Sequence, residues 1–146
     1  MKHEVRLNKL KRIFVPHGDV YHGIKASDCT FKGFGELYFS RIEYLHVKGW
    51  KRHNRLTLNL MVPVGEVRFV VFESNIANQS MDFVCDHRLG ADTNHQRLTI
   101  PPGFWVAFQG LSREINVVAN IIPEEHDPRE ADNLDLAAIP YDWKLS

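Results

Sequence analysis

The chain has 146 residues and no net charge, because 18 lysines and arginines balance 18 acidic residues. This length suits one domain, residues 1–146, with a hydrophobic core that needs no disulfide support. The balanced charge excludes a global field that would attract nucleic acid or a membrane surface. The charged N-terminal stretch does not resemble a signal peptide, and no apolar run approaches the ~18 residues that span a bilayer. We therefore expect a cytoplasmic protein without nucleic-acid or membrane partners.

Strand signals dominate the first half of the chain. Residues 38–47 predict one strand, and residues 56–62 alternate apolar and polar side chains with the period of two that is typical of a strand. Residues 67–71 alternate again after the Pro63-Val64-Gly65 turn. Two such runs across a short Pro/Gly connection indicate either a hairpin or a sharp corner between sheets.

The second half continues this pattern after a long connection. Residues 74–95 predict an excursion that contains one buried strand, residues 81–85. Residues 97–100 and 105–108 flank Pro101-Pro102-Gly103, where two prolines forbid a continuous central strand. Short strands at such spacing are typical of a sandwich or a small barrel.

The C-terminal part holds one further strand and the single predicted helix. Residues 114–122 read as a strand, whereas Asp127-Pro128 and the acids that follow indicate a helix start. We expect a short helix over residues 128–136. Cys29 and Cys85 have no metal-binding spacing and are expected to be buried, reduced thiols.

A cluster of cations lies directly before the strand predicted at residues 56–62: Lys48, Lys51, Arg52, His53 and Arg55. His53 can exchange a proton near neutral pH, and Lys51 lies on the same side of an extended segment. Arginine and lysine side chains can also hold a phosphate by charge-assisted hydrogen bonds. The cluster indicates an anion site with acid–base chemistry, and a solvated, cation-rich strand end is the alternative.

A second set of polar residues lies on the strand predicted at residues 38–47 and just before it. Glu36, Tyr38 and Ser40 alternate on one strand face, where they could line a polar cavity or form an exposed sheet face. The eight histidines lack the spacing that brings imidazoles together on one ion, so we expect no metal site. No nucleophile elbow and no glycine-rich phosphate loop is present.

Five motifs resemble the dTDP-4-dehydrorhamnose 3,5-epimerase-like proteins, a branch of the cupin superfamily. They are HGDVYHGIK at residues 17–25, GFGELYFS with VKGWKRH, VPVGEVRFVVF, RLTIPPGFWVAFQG, and the closing EHDPREADNLDLAAIPYDW. The resemblance implies an all-β, cupin-type double-stranded β-helix (jelly roll), with the short C-terminal helix added. It also implies a cytoplasmic homodimer that uses no metal or cofactor and serves surface polysaccharide biosynthesis, such as that of O-antigen.

The resemblance also assigns residues. The family's RGLHYQ element corresponds to KGWKRH, so Lys48 stands at the arginine position and Lys51 at that of the catalytic histidine. Asn59 is the nearest counterpart of the lysine expected on the next strand, and Val106 replaces a second histidine. The strand that carries the family's tyrosine has none here, which leaves three other tyrosines as candidates for its role: Tyr21, Tyr44 and Tyr141.

The resulting hypothesis is an epimerase or isomerase that acts on a 4-keto sugar nucleotide by proton abstraction and return. His53 and Lys51 are predicted to act as base or to stabilise the enolate, and Lys48 and Arg55 to contact the diphosphate or oxyanion. The remaining predicted pocket residues are Glu36, Tyr38, Ser40 and Asn59. The alternatives are a catalytically inactive protein that binds a nucleotide sugar and a scaffold cupin.

Overall fold

The computed structural model describes residues 4–145 and is nearly all β-structure. The strands are β1 (Arg6–Lys9), β2 (Arg12–Ile13), β3 (Val20–Tyr21), β4 (Glu36–Arg41), β5 (Val47–His53), β6 (Leu58–Val64), β7 (Val67–Asn75), β8 (Ser80–Leu89), β9 (Gln96–Ile100), β10 (Phe104–Gly110), β11 (Val117–Ile122) and β12 (Ala131–Asn133). Two one-turn 3₁₀ helices, Pro128–Glu130 and Leu136–Ala138, flank β12.

The strands form two five-stranded antiparallel sheets and one small hairpin. Sheet I has the order β1-β9-β6-β11-β4, sheet II has the order β12-β5-β10-β7-β8, and β2 pairs with β3. Nearly every connection after β3 carries the chain from one sheet to the other, and the β7–β8 hairpin within sheet II is the exception. Strand β4 forms one edge of sheet I, and strand β12 forms one edge of sheet II. These two strands are far apart in the sequence.

The main core lies between the two sheets. On β7, Val67, Phe69 and Val71 face this core, as the alternation predicted, and meet leucines and isoleucines of sheet I. The intervening residues Val70 and Phe72 are buried as well, but in a second cluster on the other face of sheet II. Each face of β7 is thus packed against a different layer of the molecule.

The C-terminal segment covers the outer face of sheet II. Ile139 is buried against Trp50, Phe72 and Trp105, and the indole N–H of Trp50 donates to the carbonyl of Leu136 at 3.0 Å. Further along, the Tyr141 hydroxyl donates to Asp86, which also accepts from Arg68. Aromatic packing and this hydrogen-bonded cluster hold the segment in place.

Several predicted strands are confirmed, and two predictions for this part of the chain change. Residues 97–100 and 105–108 fall within β9 and β10, and the Pro63-Val64-Gly65 turn is a corner between sheets, where Gly65 has φ 80°. The strand predicted at 38–47 is broken, because β4 ends at Arg41 and the chain crosses to sheet II through Leu45 at φ 62°. The cation cluster does precede β6, but four of its five residues already belong to the strand before it, β5.

The predicted helix at residues 128–136 is wrong. Asp127 does cap a first turn by accepting a hydrogen bond from the Arg129 backbone, but this turn ends at Glu130. The chain then becomes extended, because β12 pairs with β5 and the Glu130 carboxylate is drawn into the interior. Long-range pairing here overrides the local helix signals.

The region of residues 74–95 also differs from its prediction. It forms the β7–β8 hairpin, and its strand is exposed at the start, where Phe83 is 55% accessible. Both cysteines are unpaired, yet Cys29 is exposed rather than buried and Cys85 is only half-buried. Within residues 4–145 no helix is long and apolar enough to cross a membrane.

The covering role of the C-terminal segment gives a first prediction. Ile139→Ala should lower the free energy of unfolding by about 2–5 kcal/mol, because it leaves a cavity under the segment. Leu136→Ala is the matched control: Leu136 lies three residues earlier and is 36% exposed, against 2% for Ile139. This control should change stability by about 0.5 kcal/mol or less. Urea denaturation measures both, and equal losses would contradict the covering role.

Candidate active site

A cavity of about 260 Å³ lies between the two sheets, beside the edge strand β4 of sheet I and strand β5 of sheet II. Its apolar wall consists of Leu58, Leu60, Val106, Phe108 and Val118. Its polar lining consists of Tyr38, Ser40, Lys48, Lys51, His53, Asn120 and Asn133. Five of the eight residues predicted from the sequence therefore line one cavity.

His53 ends β5 and is buried in the wall of this cavity. Its Nδ1 atom lies 2.6 Å from Glu130 Oε1. An ionised carboxylate only accepts hydrogen bonds, so Nδ1 carries a proton, and in the neutral form of the ring Nε2 keeps a lone pair. Nε2 has no hydrogen-bond partner within residues 4–145. The geometry leaves His53 able to accept a proton from a bound molecule.

The buried Glu130 carboxylate is held by the backbone of the β5–β6 turn. Its Oε2 atom accepts the backbone N–H groups of Asn54, Arg55 and Leu56 at 2.9, 2.7 and 3.1 Å. Burial alone would raise the pKa of Glu130, but the hydrogen bonds from these amides and from His53 outweigh it and lower the pKa. Glu130 is therefore ionised at neutral pH and can stabilise an imidazolium at His53.

Two lysines stand beside His53 on β5. Lys51 lies two residues before it on the same strand face, is half-buried, and has no side-chain partner within the described chain. Lys48 is exposed, and its Nζ donates to the Arg41 carbonyl at 2.5 Å. Lys51 thus places an unpaired cation inside the cavity. Lys48 places a second cation, held by the Arg41 carbonyl, where the chain crosses from β4 to β5.

Tyr38 and Ser40 come from β4 on the opposite sheet. The Tyr38 hydroxyl oxygen accepts a hydrogen bond from Asn120 Nδ2 at 2.8 Å, and the two residues are direct partners in the β4–β11 register. Burial raises the pKa of Tyr38, so the phenol is protonated at neutral pH. The cavity therefore has a proton acceptor on one wall and a proton donor on the other.

Three predicted pocket residues do not line the cavity. Asn59 lies between Leu58 and Leu60 on β6, and because those leucines face inward its amide faces the other way. Arg55 lies in the turn beyond β5, where its guanidinium is exposed and pairs with Glu124 at 2.8 Å. Glu36 begins β4 and accepts the backbone N–H of His126 at 2.9 Å.

The three tyrosines considered as replacements for the family's tyrosine all lie outside the cavity. Tyr21 donates to Asp92, Tyr44 lies under the Arg113 guanidinium, and Tyr141 binds Asp86, so none of them lines the cavity. Of the chain's four tyrosines, only Tyr38 does so. Sequence reasoning missed Glu130 and Asn120, since an acid in the first turn of a predicted helix and an asparagine within a strand carry no distinctive signal.

No group of three or more histidine, cysteine or acidic side chains is arranged to hold a metal ion in the part of the chain that the structure describes. The His53–Glu130 pair and the neighbouring lysines are suited instead to moving a proton and to holding negative charge.

No protein-family model matches the sequence, and no curated protein matches it. Solved structures do. A dTDP sugar isomerase from Desulfovibrio desulfuricans G20 is 31% identical with a TM-score of 0.87, over 95% of this chain and 90% of that one.

Two more distant structures share the fold. A dTDP-4-dehydrorhamnose 3,5-epimerase from Sulfolobus tokodaii is 21% identical (TM-score 0.79, 94% of this chain and 80% of that one). A sugar 3,4-ketoisomerase from Thermoanaerobacterium thermosaccharolyticum, solved with TDP, is 19% identical (TM-score 0.72, 90% and 89%).

The lowered pKa of Glu130 predicts a loss of stability in acid. A carboxyl whose pKa is lowered by folding stabilises the protein above its ordinary pKa, 4.5, and this contribution disappears as the pH falls through the lowered value. The stability difference between the native protein and Glu130→Gln should therefore be largest near neutral pH and shrink below pH 4.5.

Urea denaturation across this pH range measures the effect. Glu125→Gln is the matched control, since Glu125 is exposed in the same segment and should show a small, constant difference. A difference for Glu130→Gln that does not change with pH would contradict the assignment.

Proposed function

Because the chain belongs to the dTDP-4-dehydrorhamnose 3,5-epimerase-like family of dTDP sugar isomerases, we propose that it is a nucleotide-sugar epimerase or isomerase. It acts on a 4-keto sugar nucleotide by abstracting a proton next to the carbonyl and returning one. The observation that carries this proposal is the His53–Glu130 pair in the wall of the cavity. The TDP bound to the related ketoisomerase supports the substrate class.

His53 acts as the base. Its Nε2 lone pair takes the proton from the carbon next to the carbonyl, and the C–H electrons move into an enolate. The Glu130 carboxylate stabilises the imidazolium that forms, because it is buried, ionised and 2.6 Å from Nδ1. The same carboxylate fixes the orientation of the ring before the substrate binds.

Lys51 stabilises the enolate oxygen. Its ammonium group is unpaired within the described chain and half-buried, so it meets the developing negative charge in a site with little water. Lys48 lies nearer the solvent and contacts the diphosphate, with Ser40 of the opposite sheet beside it. Lys51 thereby contacts the enolate oxygen of the sugar, and Lys48 contacts the diphosphate.

Tyr38 returns a proton to carbon. It lies on the sheet opposite His53, so a proton from its hydroxyl reaches the face of the sugar that His53 does not contact. Transfer leaves a phenolate and an imidazolium, and exchange with solvent restores both groups. Return of the proton on the opposite face inverts a stereocentre. Return at the carbonyl carbon instead moves the carbonyl, provided that the hydroxyl of the abstracted carbon passes its proton to the enolate oxygen.

The size of the cavity indicates which part of the substrate it holds. Its volume of about 260 Å³ is below the ~300–1,000 Å³ that is typical of ligand pockets. The sugar therefore occupies the cavity, with its carbon skeleton against the apolar wall, and the nucleotide lies outside past Lys48.

The wider setting is part of the same proposal. Residues 1–146 form one cupin-type jelly roll that acts without metal or cofactor as a cytoplasmic homodimer in surface polysaccharide (O-antigen) biosynthesis. The repeated crossing between two antiparallel sheets supports the jelly roll. Exposed Leu37 and Phe39 on the edge strand β4 supply apolar surface for a second copy.

Proton exchange with solvent tests the activity. In D₂O the protein should incorporate deuterium at C3 or C5 of a 4-keto-6-deoxy nucleotide sugar, followed by NMR. Binding of such sugars in a thermal-shift assay without exchange in any of them would overturn the catalytic proposal and support the binding-only alternative.

Substitution of the base is a separate prediction. His53→Gln should slow the exchange by at least ~10²-fold, because general-base catalysis contributes about that much. His46→Gln is the control, since the His46 side chain is 72% exposed and lies outside the cavity. Equal exchange rates in His53→Gln and the native protein would remove His53 from the mechanism.

A further inference from the structure

Two asparagines support Tyr38, one in the cavity wall and one behind it. Asn59 and Asn120 are only 2% and 3% exposed, and they lie on the neighbouring strands β6 and β11. We propose that Asn120, aligned by Asn59, is a positioning residue that directs the Tyr38 hydroxyl proton into the cavity. The catalytic consequence of this arrangement rests on the function proposed above.

The direction of each hydrogen bond is fixed by a backbone group, which can only donate or only accept. Asn59 Nδ2 donates to the carbonyl of Thr30 at 3.0 Å, which leaves Asn59 Oδ1 to accept from Thr99 Oγ1 at 2.7 Å. The backbone N–H of Asn59 donates to Asn120 Oδ1 at 3.2 Å. The Asn120 amide therefore cannot turn over without placing its NH₂ group against another donor.

It follows that Asn120 presents its NH₂ group to Tyr38. The Tyr38 oxygen accepts from Nδ2 at 2.8 Å, so its own proton must point elsewhere. Within residues 4–145 no protein group accepts that proton, and the free space beside the hydroxyl is the cavity that Tyr38 lines. An acceptor at position 120 would instead draw the proton toward the sheet.

This arrangement gives Tyr38 two properties that a proton donor needs. The hydroxyl proton faces the substrate before binding, so no rotation is required at the moment of transfer. The amide of Asn120 also remains in place to hydrogen-bond the phenolate that transfer leaves, which favours the charged form. Asn59 does not touch the cavity and acts through Asn120 alone.

Reversal of the hydrogen bond is the sharpest test. Asn120→Asp keeps the shape of the side chain but can only accept, so it should turn the Tyr38 proton away from the cavity. Asn120→Ala removes the NH₂ group and leaves no donor or charge in its place, and it serves if the aspartate variant does not fold. Asn78→Asp, on the exposed turn of the β7–β8 hairpin, is the control for an amide-to-acid change.

The first measurement needs no substrate. In protein labelled with ¹³Cζ-tyrosine, Tyr38 is assigned with Tyr38→Phe and its pKa is followed by NMR. The pKa of Tyr38 should rise in both position-120 variants, since the donor that stabilises the phenolate is lost, and stay unchanged in Asn78→Asp. An unchanged titration of Tyr38 in a folded position-120 variant would overturn the proposal.

The second measurement uses a 4-keto sugar nucleotide that the native protein turns over. The position-120 variants should lose roughly tenfold to a hundredfold in kcat with little change in KM, while proton abstraction by His53 continues. Native-like kcat in these variants would overturn the role of Asn120 in donation. Absence of exchange in the native protein would overturn the proposed function alone, because the tyrosine titration still decides the direction of the hydrogen bond.

Discussion

The buried carboxylate of Glu130 is the group on which the other parts of the site depend. One of its oxygens holds the His53 ring, and the other gathers three consecutive amides of the turn between β5 and β6. These bonds keep the carboxylate ionised in spite of its burial. They also bring the C-terminal segment against β5, where β12 completes sheet II. The geometry of the cavity wall and the edge of the sheet are consequently fixed by the same interaction.

Strand β5 serves both layers of the molecule. Its inner face presents Lys51 and His53 to the cavity, whereas Trp50 and Arg52 face outward. Trp50 is packed under the C-terminal segment, and the Arg52 guanidinium lies over the Trp105 ring at 4.8 Å while it pairs with Asp132. Aromatic packing on the outer face thereby holds in place the strand whose inner face carries Lys51 and His53. The cation cluster of the sequence is thus divided in the structure. Lys51 and His53 line the cavity, whereas Arg52 helps to hold the outer layer.

Features that depend on neighbouring residues in the sequence were predicted correctly. The alternation on β7 identified its core face, and the Pro/Gly corners marked where the chain leaves a sheet. Local rules failed where a distant partner decides, since residues 131–133 have helical signals but pair with β5. The resemblance placed Asn59 in the pocket, although its alternation with Leu58 and Leu60 already puts its side chain on the other face of sheet I. The strand period predicted Tyr38 in the pocket, but not its hydrogen bond with Asn120, because only the β4–β11 register brings the two residues together.

The separation of His53 and Glu130 along the chain has a kinetic consequence. The two residues are 77 positions apart, and the strands between them belong to both sheets. Contacts of such long range form late, because the intervening loop must first be closed by the rest of the structure. A partly folded chain can possess most of its strands and still lack the His53–Glu130 pair. Formation of this pair during refolding therefore reports that the whole structure is complete, whereas strand formation reports only that folding has begun.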